Sequence, residues 1–86
     1  MSRVTIPPRI PDPPPGLELS PNPNIRMASG AAEWIAEHLG IRVTEQYVRE
    51  KTNQRLIRYS IISGVRHYSS QSLWEFIAST EKKASA

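Results

Sequence analysis

Gln46, Arg49, Glu50 and Asn53 stand at intervals that place them on one side of a helix. Each ends in a planar group that forms hydrogen bonds in pairs. Gln and Asn match an adenine edge in this way, and Arg matches a guanine edge. Thr44 and Glu45 open the same segment. Further along, Arg58, Ser63, Gly64, Arg66 and His67 gather around a Ser-Gly pair, and a basic loop tip suits phosphate or a minor groove. Arg42, Lys51 and Arg55 add cations suited to phosphate. The chemistry these residues offer is recognition of a nucleic acid. A solvated helix face and a solvated hairpin compete with that reading, and the order of the surrounding elements favours recognition.

Residues for bond-breaking chemistry are poorly placed. Asp12 is the sole aspartate, and it lies in a proline run. His38 and His67 fall on different predicted elements, so a Ser/His/Asp arrangement would have to recruit the N-terminal segment. No spacing of His and Glu matches a metal site, and the four glycines are scattered singly, so no phosphate loop is expected. The chain is expected to be no enzyme and to need no cofactor or metal. Cysteine is absent, which fits a reducing cytoplasm. No apolar run could cross a bilayer, no secretory signal is recognised, and no membrane or small-molecule partner is expected.

The elements that must position these residues follow from punctuation and periodicity. All eight prolines lie between Pro7 and Pro23 in a chain of 86 residues. This predicts a proline-rich extended arm over 1–25, a folded domain over 26–80 and a C-terminal tail over 81–86. Ser29 is the expected cap of a first helix whose apolar face is Ala31, Ile35 and Leu39. Trp34 and His38 share a flank, and Gly40 suits the left-handed C-terminal position. Ile41 and Val43 are expected to plug the following turn into the core. Thr44 caps a second helix, Glu45 to about Asn53, with Tyr47, Val48 and Lys51 on its packing side.

Leu56 to Ile62 reads as a strand, and Ser63-Gly64 as a two-residue hairpin turn. That register sets Ile62 against Val65 and Ile61 against Arg66, with Ile57, Tyr59, Ile61 and Tyr68 expected on the core side. Ser69 or Ser70 caps a last helix carrying Leu73, Phe76 and Ile77. The class is mainly α with a small β-hairpin: a winged helix-turn-helix with an extended arm. A disordered leader is the default for such composition, but Val4, Ile6, Ile10, Leu17 and Leu19 give the arm apolar side chains that a spacer does not need, which favours packing on a neighbouring protomer. The net charge of +3 permits nucleic-acid binding without requiring it.

Ile35-Ala-Glu-His-Leu-Gly-Ile41 resembles the first helix and turn of MerR-like and excisionase winged helices. Leu56 to Tyr68 resembles their wing, and Ser70-Gln-Ser-Leu-Trp-Glu-Phe-Ile77 resembles their closing helix. Over residues 27–78 the chain is similar to phage excisionases of the mycobacteriophage type, which are recombination directionality factors. It departs in a longer turn after Gly40, in lacking a glycine before the wing, and in its proline-rich arm. The resemblance implies binding and bending of double-stranded DNA beside integrase arm sites, a phage tyrosine integrase as partner, and the bacterial host cytoplasm. Single modules bury little DNA surface, so cooperative head-to-tail self-association into a filament is expected. A winged-helix transcriptional regulator without an integrase partner is the first alternative. A protein-interaction module using the polyproline arm is the second.

Overall fold

The computed structural model of the chain describes residues 13–80. They form three helical segments and a three-stranded antiparallel sheet of order β1-β3-β2. The strands are β1 (Ile25–Arg26), β2 (Ser60–Ile62) and β3 (Val65–Tyr68). Helix α1 (Met27–Trp34) runs on as a π-helical turn, Ile35–Leu39; α2 is Glu45–Asn53 and α3 is Ser70–Ser79. Ala28 and Ala31 of α1, Ile35 of the π-helical turn, Val48 of α2, Tyr68 of β3, and Leu73 and Phe76 of α3 meet with Ile57 in one core.

The start of α1 differs from expectation. The cap position is Arg26 rather than Ser29, it makes no side-chain cap bond, and Ser29 is exposed within the first turn. The cause is β1, which the sequence pattern does not announce. Ile25 pairs with Tyr68 and Arg26 with His67, so the chain leaves the sheet and enters the helix at once. Met27 absorbs the bend at φ 65°. The sheet therefore has three strands where a hairpin of two was expected, and the compositional boundary at 25/26 falls inside β1.

At its far end the helix widens. Apolar residues every fourth position drift about 40° per step around an α-helix of 3.6 residues per turn. A π turn takes up that drift: Ile35 is fully buried, and Leu39 still packs against the core. Gly40 closes the turn in the left-handed region at φ 71°, as expected. Val43 packs against the core, whereas Ile41 is 40% exposed and does not plug it.

The second helix has the expected bounds, and the Thr44 side chain accepts a hydrogen bond from the Tyr47 N–H at 2.9 Å. Its end is a Schellman arrangement: Leu56 N–H bonds Lys51 O at 3.0 Å and Arg55 N–H bonds Thr52 O at 2.9 Å. Arg55 holds the left-handed position, at φ 65°, that glycine would adopt without strain. The following segment is not one long strand. Ile57 drops into the core, Arg58 pairs with Glu75 of α3, and strand pairing begins only at Ser60.

The hairpin turn and register are as expected. Ser63 and Gly64 have φ of 53° and 76°, and Ile62, Ile61 and Ser60 oppose Val65, Arg66 and His67. The burial of this face is not. Ile57 and Tyr68 are buried, but Tyr59 is 42% exposed and Ile61 59%. The physical reason is that α1 packs on β3, while the chief neighbour of β2 is β3 itself.

The arm is not a bare spacer within the described residues. Pro14 O accepts from Leu17 N–H at 3.1 Å, and Gly16 has φ 86°, which makes Pro15-Gly16 a tight turn. Beyond it Ser20 docks on the start of α3. Ser20 N–H donates to Ser70 Oγ at 2.8 Å, and Ser20 O accepts from Gln71 N–H at 3.2 Å and from Ser70 Oγ at 3.3 Å. Leu17 and Leu19 are half-buried on the same chain. Val4, Ile6 and Ile10, the other apolar arm residues, lie outside the described residues, as does the 81–86 tail.

Candidate nucleic-acid interface

Thr44 fixes where α2 begins, and the helix then presents Glu45, Gln46, Arg49, Glu50 and Asn53, all exposed. Their planar groups are tied to one another. Arg49 pairs with Glu45 and donates to Gln46 Oε1 at 3.0 Å, and Gln46 Nε2 donates to Glu50 at 3.3 Å. Pairs of this kind on an exposed helix are worth about 0.3–0.5 kcal/mol, so a ligand exchanges them at little cost.

The hairpin comes back against this helix. Arg66 donates to Asn53 Oδ1 at 2.9 Å, and its guanidinium lies 4.9 Å from the centre of the Tyr59 ring. Met27, Ala28, Glu45, Arg49, Gly64, Val65 and Arg66 line a cleft of about 210 Å³ between the start of α2 and the hairpin turn. Arg49 and Arg66 therefore share one surface, and Gly64 stands beside them at the tip. Nothing in the sequence pattern marks Met27, because the β1–α1 junction it occupies is set by pairing with Tyr68 and His67.

Arg58 and His67 lie elsewhere. His67 Nδ1–H donates to Val65 O at 3.0 Å. Its ring lines a second groove, of about 700 Å³, together with Arg55, Arg58, Tyr59, Ser60, Pro21 and Pro23. Arg58 is also drawn away by Glu75. The hairpin thus divides its polar residues between two faces, with Arg66 on one and His67 on the other, because neighbours along a strand alternate sides. The cations expected at phosphate are spread more widely. Lys51 covers the Tyr47 ring at 5.3 Å, while Arg42 is exposed before α2 with no ion pair among the described residues.

His38 stacks on Trp34 with ring centres 5.0 Å apart, and its Nδ1–H donates to Trp34 O at 3.3 Å. The two histidines thus sit on separate elements and are engaged locally. Among the described residues no helix is long and apolar enough to cross a membrane. Comparison with known protein families, with characterised proteins and with solved structures finds no match.

Proposed function

We propose that this chain is a DNA-binding protein of winged helix-turn-helix type, with α2 as its recognition helix and the β2–β3 hairpin as its wing. The observation that carries the reading is the shared cleft of Arg49 and Arg66. A helix rich in long polar side chains and a hairpin tip with a cation stand side by side, as a helix in a major groove with a wing on the adjoining backbone requires. Gln46, Arg49 and Asn53 are the candidates for base edges; Arg42 and Arg66 are those for phosphate. Arg58 and His67 are not assigned to the DNA face, since they line the other side of the hairpin.

Within this reading the activity is that of an excisionase. Copies bind side by side near integrase arm sites, bend the DNA, and bias a tyrosine integrase toward excision in the cytoplasm of the bacterial host. Bending a site by 40–90° costs on the order of 1–6 kcal/mol, which one small module cannot readily supply. Coupling of ~1–3 kcal/mol between neighbours raises affinity about 5–150-fold, which supports cooperative binding.

The test is duplex binding measured against salt concentration. Arg49→Ala is expected to lose about 1–3 kcal/mol of preference for a specific site. Arg66→Ala is expected to weaken all duplexes alike and lower the salt slope by about one. Affinities equal to wild type for both variants would overturn the DNA face. Recombination with integrase and attachment DNA then separates an excisionase from a regulator that binds DNA alone.

A further inference from the structure

We propose that the outer edge of β2, with the groove beside it, takes up an extended acidic segment of a partner protein. In the order β1-β3-β2, β2 is an edge strand among the described residues. Ile62 and Val65 flank the two-residue turn as a hydrogen-bonded pair, so the backbone N–H and C=O of Ile61 turn to the open side. Proteins blunt such an edge by keeping it very short, or with charge or proline. Ser60-Ile61-Ile62 is short but carries neither charge nor proline, and Ile61 and Ile62 are 59% and 43% exposed. An aliphatic edge with free backbone groups suits another peptide strand, whereas a phosphate backbone leaves the isoleucines uncovered.

The groove of about 700 Å³ opens at the start of β2 and supplies the charge. Arg55 has no ion pair among the described residues, and Arg58, although bonded to Glu75, keeps 69% of its side chain exposed. His67, Tyr59 and Gln71 also line it. A segment alternating acidic and β-branched residues places carboxylates toward Arg55 and apolar side chains beside Ile61.

Arg55 gives an independent indication. It occupies a left-handed position at φ 65°, strain that glycine would remove. Backbone strain of this kind clusters at ligand clamps and switch regions. The inference does not rest on DNA binding.

The test uses the full chain and a fluorescent decapeptide of alternating Glu and Val, without DNA. Saturable binding in anisotropy is expected. Arg55→Gly is expected to weaken it about tenfold, the factor given by losing one charge-assisted hydrogen bond. The same variant is expected to melt roughly 4–8 °C higher, as the backbone strain is relieved. The peptide N-methylated at alternate residues keeps its charges but is expected not to bind. Equal binding of the methylated peptide, or of Arg55→Gly, would overturn the proposal. So would a dimer in sedimentation without peptide, which makes the occupant a second copy. Displacement of the peptide by a duplex that Arg55→Gly binds equally weakly would make the groove a nucleic-acid contact instead. A failed peptide experiment leaves the DNA face standing.

Discussion

Thr52 joins the proposed recognition helix to the sheet through one hydroxyl. Its Oγ1–H donates to Val48 O at 2.8 Å, so the Tyr68 hydroxyl, also at 2.8 Å, must donate to Thr52. Both side chains are buried, at 2% and 0% exposure. The two halves of the pair are not equivalent. Tyr68→Phe removes a donor and leaves Thr52 bonded to its own helix, so a loss of about 1 kcal/mol is expected in urea unfolding. Thr52→Val strands the Tyr68 hydroxyl without an acceptor and is expected to cost more, about 2 kcal/mol. A smaller loss for Thr52→Val than for Tyr68→Phe would show that the tyrosine hydroxyl is not held by threonine. Thr52 was not legible as a core residue in the sequence, where it lies in a run of charged and amide side chains. Its burial depends on Tyr68, a partner sixteen positions away.

The elements that could be read in advance are those whose boundaries are set locally. Thr44 and Ser69 each bond an N–H three residues on, Gly40 closes a helix, and Ser63-Gly64 closes a hairpin, so their signals lie within one turn of their effect. Gly40 also fixes how the chain enters the next turn. Gly40→Ala is expected to lower stability by about 1 kcal/mol in urea unfolding, because alanine is strained at a φ of 71° even though nothing crowds its Cβ. An unchanged unfolding midpoint would remove that role. The features that could not be read depend on distant contacts. β1 exists because Tyr68 and His67 pair with it, and Arg58 turns away because Glu75 is there. The exposure of Tyr59 and Ile61 likewise reflects where α1 packs, which alternation along a strand does not specify. The candidate DNA residues on α2 were legible for the first reason. The division of the hairpin residues between two faces was legible only in part, through the alternation of Arg66 and His67.

At the scale of the whole molecule, the proline-rich segment is held to the domain through Ser20. Removal of residues 1–16 leaves the Ser20 bonds to α3 in place and is expected to keep the melting temperature close to that of the full chain. If the arm couples neighbouring copies, the same truncation lowers cooperativity on DNA, read as a shallower binding curve. Removal of residues 1–24 also takes the Ser20 bonds from the start of α3 and is expected to lower stability by a further 1–3 kcal/mol, since several hydrogen bonds are lost together. Equal melting of the two truncations would make the Ser20 docking energetically idle.

The pairing of Ile25 with Tyr68 also has a consequence in time. A ribosome adding about 5–20 residues per second needs roughly 2–9 s to travel from one partner to the other. Throughout that interval β1 has no strand to join. Each newly made chain therefore passes through a stage in which its N-terminal segment is tethered but undocked, and a nearby molecule has that long to capture it.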